Sequence, residues 1–403
     1  MAGRRTLIVK AALSLVLFIV GYCSVSRSLA IVWSNVDPVG ALAIWSGDAR
    51  ITGMAAQQLL EKEKAEADRQ KAVELGRRAL LRDGTAIPAA DTLAFAAGFA
   101  NDDASAEKWF HYIESLSRRD LRAQLYFIEK SVAEGDVKEA LHHYDIALRT
   151  SEVSAPTTLF PVLRSAIAET TVRNELVRTL AGNPSWASNF LSDLSNNGPD
   201  FAAAGELVVG MRRAGLAIPA TIERPLLDNL VAQKNFPAAW RTYSMLHSKA
   251  LGSAIRNNSF DVSNAESSPF DWQLSADSGV SVELGSSAGK GVLDYRLSPT
   301  TSATIARQYI FLTSGKYRLK SLLLDASQKR GEGPYWQLIC VDGPTIGTLE
   351  MGGPMNGAQE FSTDIVVPAN CATQSLSLTV RATDDVGGAV GQLDSVTISK
   401  VMQ

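Results

Sequence analysis

Hydrophobic and polar positions follow three different rhythms along the chain. An uncharged apolar run, AALSLVLFIVGYCSVS, covers Ala11 to Ser26 behind Arg4, Arg5 and Lys10. From Asp37 to about Ala250 apolar positions recur at offsets of three, four and seven, the spacing of one helical face. Past Phe270 the apolar residues alternate in short runs: Val280-Val282-Leu284, Thr304 to Leu312, Tyr317 to Leu323, Trp336-Leu338-Cys340, Phe361 to Val367, Leu376-Leu378-Val380 and Val396-Ile398. Period-two runs broken by Gly, Pro, Asn and Asp predict strands. The pattern predicts an α and β multidomain chain: an N-terminal transmembrane or signal helix over 1–33, an α-helical repeat domain over 34–250 and an antiparallel β-sandwich over 251–403.

The helical stretch carries an internal period. Ala72, Ala106 and Ala140 are spaced 34 residues apart, in KAVELGRRAL, SAEKWFHYIE and EALHHYDIAL, and a further copy falls at Ala239, Tyr243 and Leu246. Ala79 and Ala147 lie seven residues on, and Phe110 and Tyr144 four residues on, so small and aromatic residues share a face. Turn chemistry precedes the helices at Asn101-Asp102-Asp103 and Gly135-Asp136, and Asp48 is placed to cap a helix of its own. The charged residues from Glu61 to Lys71 read as a solvated turn. In this pattern the chain resembles the tetratricopeptide repeat family in degenerate form, whose unit is 34 residues. The resemblance implies an α-solenoid of helix pairs. It places Asp91, Phe95, Arg122, Tyr126 and Glu129 on a groove for a protein partner.

Residues 251–270 lose helical periodicity and gain serine and asparagine, which reads as a short linker. The eight or nine strands expected beyond it fit a jelly roll. NNSFD (Asn257 to Asp261), PFDWQL (Pro269 to Leu274) and GQLDSVTIS (Gly391 to Ser399) resemble the opening and closing strands of carbohydrate-binding-module-like, galactose-binding-like jelly rolls. That resemblance implies glycan binding and a structural calcium held by Asp261 and Asp394, against the plainer reading of two strand-end acids. Trp272, in PFDW, reads as a core plug. Tyr335 and Trp336 follow a loop, and alternation sends them to opposite faces, so one of the pair is expected to present an aromatic surface to a sugar.

The apolar run of Ala11 to Ser26 is short for a span, but Leu7-Ile8-Val9 extend it if Lys10 snorkels. An uncleaved anchor, a signal peptide cut after Ser28-Leu29-Ala30, and a soluble helix all stay open, with the anchor favoured. Tyr22 ahead of Cys23 argues against a lipoprotein. Either of the first two readings exports residues 34–403, and two cysteines in an exported β domain usually pair, which predicts a Cys340–Cys371 disulfide.

Composition narrows the function. A formal net charge of −3 gives no basic footprint for nucleic acid, and three cysteines and four histidines are few for a metal cluster. Gly285-Ser286-Ser287-Ala288-Gly289 matches the nucleophile-elbow pattern, but its flanks are strands and no histidine follows His247, so a hairpin loop is expected. His142 and His143 are adjacent and point to different sides of a helix, the wrong spacing for paired metal ligands. A glycosidase needs two facing carboxyl groups, and spacing in sequence does not reveal such facing among the sandwich acids (Glu332, Asp342, Glu350, Glu360, Asp364, Asp384, Asp385 and Asp394), which read as ordinary loop acids. The expectation is a non-catalytic envelope scaffold without a cofactor. Its solenoid takes a protein partner, its jelly roll a glycan, and its helix the inner membrane. The arrangement resembles membrane-anchored tetratricopeptide proteins of bacterial exopolysaccharide assembly, a likeness of fold rather than of site. A polysaccharide-modifying enzyme and a purely structural assembly factor are the alternatives.

Overall fold

The structure is a computed structural model, and it describes residues 2–62, 66–247, 253–261, 268–287, 289–328, 331–352 and 357–401. Parts of the charged turn (63–65), of the linker (251–252 and 262–267) and of the glycine-serine hairpin (Ala288) lie outside the described residues. The chain divides into two compact units, Met1–Pro161 with Pro184–Trp186, and Val162–Asn183 with Ala187–Gln403.

In the first unit the helices are α1 (Ala2–Trp33), α2 (Pro38–Ile44), α3 (Ala49–Lys62), α4 (Glu66–Arg82), α5 (Ile87–Phe99), α6 (Asp103–Leu116), α7 (Leu121–Glu134) and α8 (Val137–Thr150). The charged run is thus largely helical, with Glu66 to Lys71 in α4 rather than in a turn. Starts and stops follow local chemistry. Asp102, Asp120 and Asp136 each accept a hydrogen bond from the backbone N–H three residues on, at 3.1, 2.9 and 3.0 Å, satisfying donors that the first turn leaves orphaned. Asp48 does the same for α3, accepting from Arg50 N at 2.9 Å and Ile51 N at 3.3 Å. Gly135 closes α7 at φ 76°, a left-handed conformation that a Cβ would strain. The period-34 alanines are all buried, Ala72 at 0%, Ala106 at 2% and Ala140 at 4% exposure, at points where helices approach closely. Around Ala106 they help to build a core of Ala90, Ala94, Phe110, Ile113, Ala123 and Phe127.

The helix α9 (Ser154–Ala166) follows, and then α10 (Thr170–Ala181), α11 (Ala187–Asn197), α12 (Phe201–Arg213), α13 (Ala220–Ala232) and α14 (Phe236–Leu246), fourteen helices among the described residues. In the second unit α12 packs against α10, α13 and α14, and α11 against α13.

Ten strands follow: β1 (Gln273–Leu274), β2 (Val280–Ser287), β3 (Lys290–Leu297), β4 (Ala303–Ile310), β5 (Gly315–Ala326), β6 (Tyr335–Cys340), β7 (Thr345–Glu350), β8 (Gln359–Val367), β9 (Gln374–Val380) and β10 (Ala389–Lys400). They form two five-stranded antiparallel sheets, ordered β1-β4-β9-β6-β7 and β2-β3-β10-β5-β8, which make a β-sandwich. Inward side chains of both sheets fill the space between them, with Trp272 and Trp336 tilted together at a ring separation of 5.5 Å. Gly347 lets β7 approach β8, since a Cβ there would lie 2.2 Å from the Ile365 side chain. Ile255 and Phe260, in the stretch expected to be a linker, are buried in the same core. The segment around Phe260 lies over Gly291 of β3, where a Cβ would strike its backbone at 2.4 Å.

Within the second unit α14 meets the sandwich through aromatic rings. Phe236 lies 5.2 Å from Tyr309, and Trp240 lies 4.7 Å from Phe311 and 5.5 Å from Phe270. The Tyr243 hydroxyl donates to Asp271 at 3.0 Å, and Lys234 pairs with Asp342 at 2.6 Å.

Candidate functional site

Strand β6 alternates strictly. Trp336, Leu338 and Cys340 point into the sandwich, while Tyr335, Gln337 and Ile339 are half-buried on the outer face. Residues opposite one another in an antiparallel ladder share a face, so the register extends that face across the sheet. One row runs Glu350, Tyr335, Thr379 and Thr304. The next runs Thr348, Gln337, Ser377, Arg307 and Gln273. A third carries Ile339, Ser375 and Tyr309, and the contact of Tyr309 with Phe236 places α14 over that end. What remains open is a polar surface of hydroxyls and amides with one aromatic ring on it.

That ring is held in place. The Arg381 guanidinium lies 4.2 Å over the Tyr335 centroid, a contact worth about 0.5–1 kcal/mol at an exposed site. It donates two parallel hydrogen bonds to Glu350, at 2.7 and 2.8 Å, and a third to the Gly333 carbonyl at 3.0 Å. The pair with Glu350 lifts the Arg381 pKa above its already high ordinary value, so the clamp keeps its charge. Thr304 and Thr379 share a hydrogen bond at 3.1 Å in the same row. Arg381 covers one face of this ring, so the C–H face of a sugar would stack on the other, with the flanking donors and acceptors bonding its hydroxyls.

Of the two aromatics singled out in sequence, only Tyr335 is on this surface. Trp336 is wholly buried and its indole N–H donates to Ser321 Oγ at 3.0 Å, so it is a core residue and offers nothing to a ligand. Trp272 is wholly buried as its pattern predicts. Arg381 and Arg307 were not found by sequence reasoning, and Glu350 was singled out only as one of the sandwich acids. Arg381 lies 31 residues from Glu350, and Arg307 faces Ser377 on another strand, so only the register joins them.

Cys340 and Cys371 form a disulfide, with Cα atoms 5.5 Å apart. For the calcium expectation, Asp261 accepts from Gly291 N at 3.0 Å and from the Ser259 hydroxyl, and these bonds hold its pKa below the carboxylate norm. Asp394 is half-buried on β10. Among the described residues no group of three or more His, Cys, Asp or Glu gathers that could hold a metal ion.

The five groove residues fall on α5 and α7, but they do not form one open surface. Asp91 is 3% exposed, and Arg122 stands 3.8 Å from it and 2.7 Å from Glu61. Phe95 and Tyr126 flank Phe110, edge-on at 5.4 Å and stacked at 4.1 Å, and so belong to the packing between helices. Glu129 is exposed. Asp91 is therefore a buried acid and no grip for a partner, because burial costs an ionised carboxyl its hydration. His142 is exposed and His143 buried, on different sides of α8, and His143 Nδ1 lies 2.8 Å from Gln124 Oε1. With His111, Glu114 and Glu139 they line a cleft of about 510 Å³. The glycine-serine segment joins β2 to β3 as a hairpin.

No family model matches the chain, and no curated protein matches it. Among solved structures it is similar to TmCBM61 in complex with β-1,4-galactotriose, at 13% identity over 37% of this chain and 99% of that one, TM-score 0.26. A family 16 carbohydrate-binding module is similar at 15% identity over 37% and 100%, TM-score 0.28. So is the CBM22-1 xylan-binding domain of Paenibacillus barcinonensis Xyn10C, at 14% over 36% and 93%, TM-score 0.26.

Proposed function

We propose that this chain is a non-catalytic scaffold of the bacterial cell envelope, fixed to the inner membrane by α1. On this reading it binds glycan on the outer face of the β1-β4-β9-β6-β7 sheet and a protein partner through its helix pairs. The observation that carries the glycan reading is Tyr335, held on an open sheet face by Arg381 among hydroxyl and amide side chains. The scaffold reading draws support from the acids of the sandwich. Glu350 is paired with Arg381, Asp364 with Arg318, Glu360 with Lys320 and Asp342 with Lys234, which leaves them poor acids or nucleophiles for glycoside cleavage.

The membrane reading rests on the stretch Lys10–Trp33, 24 residues containing an 18-residue window of mean hydropathy 2.0, long and apolar enough to cross a bilayer, as a signal sequence also can be. Its apolar side chains are exposed all round, from Leu13 to Val25, as a lipid-facing helix requires. Its last turns, in contrast, are docked. Ala30 is 0% exposed and packs with Ala41 and Ile51, and Arg27 stands 3.6 Å from Asp48. Cleavage after Ala30 would remove a residue that the folded unit buries, which favours an anchor over a signal. The tetratricopeptide-like solenoid is proposed from the burial of the period-34 alanines.

The test is a glycan array probed with the full chain in detergent micelles, followed by titration of the best binder. Saturable binding without turnover is expected, weakened about tenfold in Tyr335→Ala for loss of the stacking face. Binding unchanged in that variant would remove the site, and consumption of the glycan would replace the scaffold with an enzyme.

A further inference from the structure

The open sheet face carries a second guanidinium with a different standing from the first. Arg381 is consumed by Glu350 and the Gly333 carbonyl. Arg307, in the middle of the neighbouring row, is exposed and makes no ion pair among the described residues. Its guanidinium lies 5.6 Å from the Tyr309 ring, and its cross-strand neighbours are Ser377 and Gln273, neither of them charged. The opposite sheet shows both situations: Arg296 on β3 is exposed and makes no ion pair among the described residues, while two cations on β5 are paired. On β5, Arg318 donates to Asp364 at 2.6 and 2.9 Å and Lys320 to Glu360 at 2.9 Å, so those charges are cancelled side by side. On the Tyr335 face the Arg381–Glu350 pair sums to zero, and Arg307 adds one uncompensated positive charge to a surface otherwise made of Thr, Ser and Gln.

We infer that the glycan bound on this face is acidic, a saccharide bearing carboxylates, with Arg307 pairing one carboxylate while a sugar ring rests on Tyr335. The inference deepens the glycan reading above and rests on it. A guanidinium presents a planar fork that matches a carboxylate in two parallel hydrogen bonds, and among the described residues no acid pairs with it. Arg307 and Tyr335 stand two strands and one row apart, roughly 12 Å from strand spacing and rise. That is more than one sugar ring spans, so the charged group and the stacked ring belong to different residues of one oligosaccharide. Gln337, half-buried, lies between them and can bond an intervening hydroxyl, while Ser377 beside it is buried and donates to the Gln337 carbonyl.

The probes are mannuronate, galacturonate and glucuronate oligosaccharides, each paired with the same oligosaccharide after its carboxyl groups are reduced to neutral alcohols. Affinities are measured with the full chain in detergent micelles at low and high salt. At least one acidic member is expected to bind about tenfold more tightly than its reduced counterpart, with the advantage shrinking as salt rises. Arg307→Gln is expected to erase that advantage, costing the acidic oligosaccharide far more affinity than its reduced counterpart, and Arg307→Lys to keep part of it. Unfolding midpoints of both variants are compared with the parent to show that the fold survives. Equal or tighter binding of the reduced members, or a preference that persists in Arg307→Gln, overturns the acidic class and leaves glycan binding standing. Binding of neither set, together with a blank array of neutral glycans, overturns both.

Discussion

Asp91 sits on α5 with 3% of its surface exposed, and one of its carboxylate oxygens lacks a hydrogen-bond partner. Burial, reinforced by the negative charge of Asp120, raises its pKa to about 7, and Arg122 at 3.8 Å only partly offsets this. Below about pH 4 the group is protonated folded and unfolded alike, and it costs nothing. As pH rises the unfolded chain ionises first, so stability drains away and the loss is complete once pH has passed about 7. Asp91→Asn is therefore expected to stabilise the protein at pH 8, on the order of 1–2 kcal/mol, and to do little at about pH 3, below the unfolded pKa. Urea unfolding at the two pH values checks this, and an equal effect at both would refute the burial account. Sequence placed Asp91 on the right helix but on a binding surface, because helical offsets say which residues share a face and not whether another helix covers it. Tyr335 and Trp336 show the same limit in a strand. Alternation guaranteed that one pointed outward, but the choice between them depended on where the second sheet lies.

At the scale of elements much was legible, because the signals are local. The aspartates before α6, α7 and α8 cap them as their position predicts, and the small residues at the 34-residue spacing are buried. Asp120→Ala and Asp136→Ala are each expected to cost about 1 kcal/mol in urea unfolding, because each leaves a first-turn N–H unpaired. The strands were legible from their alternation, although ten formed where eight or nine were expected. Pairing was not, because β6 finds β9 and β7 as neighbours, and β10 finds β3 and β5, through contacts that no short window contains. The disulfide ties the end of β6 to the approach to β9 across a sequence separation of 31. In the chain-entropy model a loop of that size contributes about 3–4 kcal/mol, so the Cys340→Ser/Cys371→Ser double variant is expected to lose that much under oxidising conditions. Under reducing conditions the double variant and the parent should unfold at nearly the same urea concentration, and a gap that persisted there would point to packing rather than the cross-link.

For the whole molecule the deciding question is what α1 does, since compartment, disulfide and envelope role stand together. A helix that only targets the chain has no reason to bury residues in the mature fold, whereas an anchor gains by docking. α1 does both kinds of thing along its length: exposed leucines, valines and Phe18 over its middle, then Ser26, Ala30 and Ser34 buried near its end. The mature protein is accordingly expected to keep residues 1–33, to stay with the membrane pellet after alkaline carbonate washing, and to give an intact mass that includes the helix. A periplasm-dependent phosphatase fused after Trp33 is expected to be active. Ala30→Leu gives a sharper reading, because an extra side chain there meets Ala41 and Ile51. Overpacking of this kind costs about 1–3 kcal/mol, so the variant should insert normally but unfold more easily. A mature N-terminus at Ile31, with the Leu variant as stable as the parent, would mean that the docked end of α1 is dispensable and that the chain is released from the membrane rather than held there.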